Sequence, residues 1–132
     1  LQVLGTWCPN CLDETAFLAD FHKKNRNRGF EVIGMGFERT AMPVKAYDNL
    51  RRLKQRFGAE YEMVLAGKPE EADVRAALPV MEKLVAFPTT LILDKTGRVR
   101  KVHTGFDGPA TGAAYTRYVE EFTATIESLL AE

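Results

Sequence analysis

The chain has 132 residues, of which 45% are hydrophobic and 27% charged, and its 18 Lys and Arg residues balance 18 Asp and Glu residues. These values are typical of one globular domain, which we expect to span residues 1–132. They give no support for a nucleic-acid or anionic-membrane partner, and no apolar run reaches the ~20 residues of a membrane span. Because the chain opens at Leu1 inside an apolar run, we expect a fragment or processed domain, with any membrane anchor outside these residues.

The first half of the sequence predicts two strand–helix units. Gln2–Thr6 is interpreted as the end of a strand and Pro9–Arg28 as a helix. The run Phe30–Phe37 predicts a buried strand, and Pro43–Phe57 predicts an amphipathic helix. The expected apolar face of that second helix consists of Val44, Tyr47, Leu50, Leu53 and Phe57.

The second half predicts a more varied set of elements: a short strand Tyr61–Leu65, a helical segment Glu70–Leu84, two hairpin strands Thr89–Leu93 and Arg98–Thr104, and a final helix Ala113–Leu130. Pro79 is expected to split the helical segment, and the tight turn Asp94–Gly97 joins the hairpin strands. The order β-α-β-α-(β)-α-β-β-α predicts an α/β fold. Its early βαβ unit implies parallel strands, and its late hairpin adds an antiparallel pair.

Both cysteines of the chain lie in Cys8-Pro9-Asn10-Cys11, directly after Thr6-Trp7. At the start of a helix the two sulfurs fall within one turn and can pair with little backbone movement. Pro9 suits the first helical position, because its φ is preset and the N–H that it lacks would have no partner there. The free N–H groups and the dipole at this helix end favour a thiolate on Cys8, the form that attacks disulfides.

A zinc site and a structural disulfide are the alternatives to an exchange motif. Tetrahedral zinc needs four ligands, whereas the sequence has no second Cys-x-x-Cys pair and its two histidines, His22 and His103, stand alone. A structural disulfide that closes so short a loop would remove little chain entropy. We therefore predict no metal and no cofactor.

A second motif, Phe87-Pro88-Thr89-Thr90, stands at the entry to the predicted strand Thr89–Leu93. By itself, a proline at this place is consistent with simple loop punctuation. Together with Thr6-Trp7-Cys8-Pro9-Asn10-Cys11 and the segment Leu91–Gly97 (LILDKTG), it resembles the thioredoxin superfamily, and more closely the TlpA/ResA-like thiol-disulfide oxidoreductases. The Gly105-Phe106 pair and the terminal helix also look like this family, so the resemblance covers nearly the whole chain.

The resemblance implies a thioredoxin-like α/β fold, with a mixed central sheet flanked by helices. The extra helix and strand before Pro88 look like the insertion of TlpA-type proteins, and elements that normally precede the Cys-x-x-Cys strand are missing. The family also implies that Pro88 is cis and faces Cys8, and that the backbone at Phe87 pairs with the substrate as an added strand. Core packing is the alternative role of Phe87. Thr15-Ala16 and Ala86 depart from the family, where proline and glycine are common.

In the predicted mechanism Cys8 is the nucleophile and Cys11 the resolving residue. The Cys8 thiolate attacks a substrate disulfide, and Cys11, one turn further in, then attacks Cys8 and releases reduced substrate. Glu14 stands where a ResA-like protein places a glutamate near its sulfurs, so it is a candidate proton acceptor for Cys11. The alternative is a solvated carboxylate that complements the helix dipole, which is also the role expected of Asp13. Trp7 is expected to pack beside the motif.

Two other functions stay open at this point. A thiol peroxidase on a related fold usually carries a P-x-x-x-[ST]-x-x-C pattern, and no proline precedes Cys8 here. A copper or other metal chaperone could use Cys8, Cys11 and His103. Stoichiometric copper binding without reductase activity would favour the chaperone.

The resemblance implies an exported bacterial protein, periplasmic or otherwise extracytoplasmic, and often anchored to the membrane by a segment outside the domain. Its partners would be proteins with disulfides, apocytochrome c among the candidates, and a membrane thiol reductant that recharges its cysteines. We expect a monomer. The residues Pro9-Asn10 affect the reduction potential, but their identity does not indicate whether they raise or lower it. Reductase, oxidase and isomerase are therefore all chemically open, and the resemblance favours a reductase.

Overall fold

The computed structural model describes residues 1–81 and 86–132. The strands are β1 (Gln2–Leu4), β2 (Ile33–Phe37), β3 (Glu62–Gly67), β4 (Thr89–Leu93) and β5 (Val99–Thr104). The α-helices are α1 (Pro9–Asn25), α2 (Pro43–Phe57), α3 (Glu71–Ala77) and α4 (Ala113–Leu130), with short 3-10 turns at 26–28 and 109–111. No helix in this described part of the chain is long and apolar enough to cross a bilayer.

The five strands form one mixed sheet in the order β3-β2-β1-β4-β5. The strand β2 runs parallel to both β1 and β3, whereas β4 is antiparallel to both β1 and β5. Because the two crossovers β1–α1–β2 and β2–α2–β3 step in the same direction, right-handed connections place α1 and α2 on the same face. The predicted α/β class, with a mixed central sheet flanked by helices, is confirmed.

Each face of the sheet carries a core of its own. The helices α1, α2 and α4 cover one face, where an aromatic cluster joins α1 to α4: Phe17 packs edge-on against Tyr118 and Phe122, which stack on each other. A Cβ at Gly36 would lie 2.7 Å from Leu50 Cδ2, so glycine lets α2 approach β2 closely. The helix α3 covers the other face, where Val74 is buried with residues of β1, β2 and β4.

The apolar face predicted for α2 is partly wrong. Leu50 and Leu53 are buried as expected, but Val44 and Tyr47 are 81% and 57% exposed, and Ala46 is buried instead. The buried stripe follows the spacing 46, 50, 53, so the first turn of the helix is rotated relative to the prediction and presents Val44 to solvent.

Several element ends also differ from the predicted ones. The helix α1 ends at Asn25, and a 3-10 turn leads to Gly29, whose φ of 96° ends it. The helical segment Glu70–Leu84 is an α-helix over Glu71–Ala77, which ends before Pro79 as expected; residues 82–84 of that prediction lie outside the described residues. The hairpin turn begins at Asp94, whose carboxylate accepts hydrogen bonds from the backbone N–H groups of Thr96 and Arg98.

Candidate active site

Cys8 occupies the N-cap of α1. Its φ and ψ of −104° and 113° are extended, and Pro9 follows at the first helical position. The Cys8 carbonyl accepts hydrogen bonds from the Cys11 and Leu12 N–H groups, and its Sγ accepts one from the Cys11 N–H at 3.3 Å. The local sequence thus places the Cys8 sulfur at the N-terminus of α1, where helix N–H groups can donate to it.

The segment that contains Pro88 forms the opposite wall of the site. The Phe87–Pro88 peptide bond is cis, and the Phe87 carbonyl oxygen lies 3.6 Å from Cys8 Sγ, which donates to it. The Phe87 ring packs edge-on against Trp7, with ring centroids 5.1 Å apart. The structure therefore brings together Cys8, Trp7, Phe87 and Pro88, four of the residues singled out from the sequence.

Trp7 is held in place on three sides. Its indole N–H donates to the Phe37 carbonyl at 2.8 Å, and the Arg39 guanidinium lies 4.1 Å above its ring. A Cβ at Gly5 would lie only 2.2 Å from the indole nitrogen, so glycine is required where the ring crosses the backbone. The ring is thereby fixed beside the Cys8 sulfur.

Glu38 is a buried acid that the sequence interpretation missed. Its carboxylate accepts a hydrogen bond from the Thr6 N–H at 2.8 Å and another from the Thr6 hydroxyl, and Asn49 donates to it at 3.3 Å. It is 1% exposed. These bonds tie the loop before Cys8 to the end of β2, and they explain why β1 ends at Leu4 rather than at Thr6. The signal in the sequence was a charged residue directly after a buried apolar strand.

Glu14 is fully buried, although it lies only three residues after Cys11. Its Oε2 accepts a hydrogen bond from the Thr90 hydroxyl at 3.0 Å, and its Oε1 has no hydrogen-bond partner within residues 1–81 and 86–132. Burial raises the pKa of Glu14 to about 7, with the hydrogen bond from Thr90 opposing the rise. The alternative of a solvated Glu14 is therefore wrong, whereas Asp13 is exposed as expected.

Cys11 lies beneath Cys8 and is also fully buried. Both cysteines are free thiols. Burial raises the pKa of the Cys11 thiol above its ordinary value, and the neighbouring Cys8 and the charge of Glu14 raise it further. A thiol in these surroundings needs a proton acceptor before it can act as a nucleophile, and Glu14 is close enough to interact with it.

The two histidines lie apart from the sulfurs. His22 is buried with its Nε2 2.6 Å from Glu31, and His103 packs against Tyr118 with ring centroids 4.8 Å apart. Over the described part of the chain, no three His, Cys, Asp or Glu side chains are grouped so that they could hold a metal ion. The geometry brings no histidine to the cysteine pair.

Comparisons with known proteins identify relatives of this chain. The model of the Redoxin family matches residues 1–117. The chain is 24% identical over 105 residues to thiol-disulfide oxidoreductase ResA of Geobacillus thermodenitrificans, a match that covers 80% of this chain and 53% of that protein. It is 25% identical over 105 residues to ResA of Bacillus subtilis, covering 80% of this chain and 51% of the relative. The chain thus spans about half the length of these curated relatives.

A solved structure shares the fold. The thiol:disulfide interchange protein of the thioredoxin family from Chlorobium tepidum superposes with a TM-score of 0.63 at 19% identity, over 89% of this chain and 75% of that one. Because the family model spans most of the chain and the relatives are ResA proteins, the chain belongs to the Redoxin family, as a ResA/TlpA-like member of the thioredoxin superfamily.

Proposed function

We propose that this domain catalyses thiol–disulfide exchange and reduces disulfides in other proteins through Cys8 and Cys11. One observation carries the proposal: the Cys8 sulfur sits between the Cys11 N–H at 3.3 Å and the Phe87 carbonyl at 3.6 Å, directly before Pro88. At this place a helix N–H donates to the sulfur, and a substrate backbone can pass beside it. The names of the curated relatives, thiol-disulfide oxidoreductases, support the same chemistry.

The two sulfurs differ in environment, and this difference assigns their roles. The Cys8 thiolate attacks a client disulfide, forms a mixed disulfide and expels one client thiolate. Cys11 then loses its proton and attacks Cys8 Sγ, which releases the second client thiolate and leaves a Cys8–Cys11 disulfide. Two electrons pass from the dithiol to the client, and an external thiol reductant must restore the dithiol.

Trapping of the intermediate tests these roles. We expect Cys11→Ser to accumulate a mixed disulfide with a peptide disulfide, because nothing resolves it, and Cys8→Ser to accumulate none, because Cys11 is enclosed. Mass spectrometry of quenched reactions measures both. Accumulation in Cys8→Ser but not in Cys11→Ser would reverse the assignment.

Glu14 is proposed as the proton acceptor for Cys11. Since its pKa is about 7, it is ionised above that pH and can take the Cys11 proton as the thiol attacks. We predict that Glu14→Gln slows the second of the two chromophore releases from 5,5′-dithiobis-(2-nitrobenzoate) by about 10²-fold at pH 8, the lower range for a positioned base. The first release, which reports attack by Cys8, stays unchanged. Equal second-phase rates in the two proteins would remove Glu14 from the mechanism.

The client is proposed to bind along the wall formed by Phe87 and Pro88. The backbone there would pair with an extended client segment as an added strand, while Trp7 shapes the surface beside the sulfur. Phe87 also packs against Trp7 and Phe37, so its ring fills the core while its backbone lines the groove.

The setting and direction of the reaction are also proposals. We place the domain outside the cytoplasm of a bacterium, acting as a monomer on exported proteins such as apocytochrome c and recharged by a membrane thiol reductant. The bacterial ResA relatives support this setting. The measured reduction potential of the Cys8–Cys11 pair decides the direction: a value near the about −270 mV of thioredoxin fits a reductase, and one near the about −120 mV of DsbA would fit an oxidase instead.

A further inference from the structure

A buried carboxyl that takes up a proton in every cycle must also return that proton to solvent. Glu14 is fully enclosed. Its Oε2 accepts a hydrogen bond from the Thr90 hydroxyl at 3.0 Å, and the Gln2 side chain also interacts with the carboxyl. Thr90 lies on β4, which pairs with the edge strand β5. The contact therefore connects Glu14 to the strand next to the edge of the sheet.

Thr90 lies next to residues of β5 and α4. It is directly opposite His103 in the antiparallel β4–β5 register, so the two side chains lie on the same sheet face. Tyr118 of α4 packs over His103, with ring centroids 4.8 Å apart. Its hydroxyl is buried and has no hydrogen bond in the described part of the chain, a costly arrangement for a polar group with no purpose.

The surroundings of Tyr118 place its hydroxyl between Thr90 and the edge of the domain. Burial raises the pKa of Tyr118 and the charge of Glu14 adds to the rise, whereas the Thr90 hydroxyl opposes it. A cavity of about 10 Å³ is lined by Thr90, His103 and Tyr118, together with Lys101 and other neighbours. This is about the space that one water molecule needs.

We propose that Thr90, Tyr118 and His103 form a proton path that connects Glu14 to solvent. The path rests on the proposed function, in which Glu14 takes the Cys11 proton. The Glu14 carboxyl passes that proton to the Thr90 oxygen as the Thr90 hydroxyl hands its own to Tyr118. Tyr118 in turn gives a proton to His103, directly or through one water, and His103 releases it to solvent. The path begins at Glu14, so each of its members acts through that carboxyl.

The charges around the two ends of the path suit this direction. At the outer end His103 is half-buried, and burial together with Lys101 lowers its pKa, with Asp107 and Glu121 opposing. A neutral imidazole at neutral pH can accept a proton on one nitrogen and release one from the other.

The inner end is ringed by protonated groups. Besides Thr90 and Tyr118, Glu14 interacts with Cys11 from its own helix and with Tyr61 from the start of β3. The thiol and both phenols have pKa values raised by burial. The Leu1 ammonium also interacts with Glu14, and burial lowers its pKa to about 6, with the charge of Glu14 opposing the change. Glu14 and this amine are therefore the groups at the inner end that change charge near neutral pH.

A pH jump followed by infrared spectroscopy tests the path directly. The C=O stretch of protonated Glu14, identified by its loss in Glu14→Gln, is followed in the full chain after laser release of a caged proton. We expect Tyr118→Phe and His103→Ala to slow the relaxation of this band by about 10²-fold, the lower range for loss of a positioned proton donor. Added imidazole should restore the rate in His103→Ala, which a merely structural defect would not allow.

Tyr115→Phe is the matched control, because Tyr115 lies one turn earlier on α4 and contacts Phe17 and Phe106 rather than Glu14. Its relaxation should equal that of the unaltered protein. Relaxation rates in Tyr118→Phe and His103→Ala equal to the unaltered rate, or the absence of a titrating band, would overturn the path. Disulfide reduction by the unaltered protein is measured separately. If the unaltered protein reduces disulfides, unchanged relaxation rates in the variants or a missing band count against the path alone. If it does not, both the proposed function and the path are wrong.

Discussion

Cys8 and Cys11 are three residues apart in the chain and both are buried, Cys8 at 6% exposed and Cys11 at 0%, yet their surroundings differ. Cys8 caps the helix and borders the groove, whereas Cys11 is enclosed next to a buried carboxyl whose pKa is near neutrality. Desolvation disfavours the thiolate of Cys11 and the carboxylate of Glu14 alike. When the two groups share one proton, only one of them carries a charge, so only one of the two desolvation penalties remains.

The raised pKa of Glu14 predicts an unusual dependence of stability on pH. Between its ordinary pKa of 4.5 and its folded value of about 7, the folded state binds a proton that the unfolded state has released. The stability is therefore full below pH 4.5 and falls by about 3 kcal/mol as pH rises through 7. We predict that Glu14→Gln removes this loss. Urea unfolding of the oxidised proteins at pH 5 and pH 8 measures it.

Asp13→Asn is the control for that experiment, because Asp13 is the exposed neighbour on the same helix turn. This variant should keep the pH dependence of the unaltered protein. A Glu14→Gln variant that loses as much stability between pH 5 and pH 8 as the unaltered protein would contradict the raised pKa.

At the scale of elements, α1 runs without a break through the place where relatives often carry proline. The Thr15 hydroxyl donates to the Cys11 carbonyl at 2.8 Å and accepts a hydrogen bond from the Gln2 amide at 3.0 Å. Gln2 in turn accepts one from the Tyr61 hydroxyl. A single threonine thus links the helix that carries the cysteines to β1 and, through Gln2, to the start of β3.

We predict that Thr15→Val lowers the free energy of unfolding by about 1–3 kcal/mol, because the buried Gln2 amide loses its acceptor while the side-chain shape is kept. Thr125→Val is the matched control: its hydroxyl also donates to the carbonyl four residues back, but on an exposed surface, so its effect should stay within about 0.5 kcal/mol. Urea denaturation measures both. Equal effects would show that the link to Gln2 contributes nothing.

Local patterns predicted most of the elements, and long-range contacts account for what they missed. Periodicity and the Gly and Pro positions placed α1, α2, α4 and the hairpin within a few residues, because these signals act over one or two turns. The burial of Glu14 depends on Thr90, which lies 76 residues later in the chain, and spacing from Cys11 carries no information about it. The buried face of α2 was misassigned because it is set by contact with Gly36 and not by the most apolar stripe.

At the scale of the whole molecule, the inserted unit β3–α3 is part of the main fold, because β3 is an edge strand of the five-stranded sheet and α3 packs on that sheet. The strand β3 pairs with β2 over residues 62–67, and α3 covers the face opposite the other three helices. Its Val74 is 1% exposed and belongs to the same core as Val3, Phe37 and Leu91. The Phe37 carbonyl also accepts the hydrogen bond of the Trp7 indole. The insertion therefore packs against a residue that positions Trp7 beside the cysteines.

We therefore predict that residues 1–132 unfold as one cooperative unit, with α3 included. Val74→Ala should lower the free energy of unfolding by about 2 kcal/mol, because it opens a cavity in the core behind β1. Val102→Ala, at a site on the same sheet face that is 50% exposed, should change it by no more than about 0.5 kcal/mol. Trp7 fluorescence and far-UV circular dichroism should report one shared midpoint in each protein. If Val74→Ala shifted the dichroism midpoint but not the Trp7 fluorescence midpoint, the insertion would unfold as a separate unit. The loss of stability at α3 would then not reach β1 and β2 through their shared core.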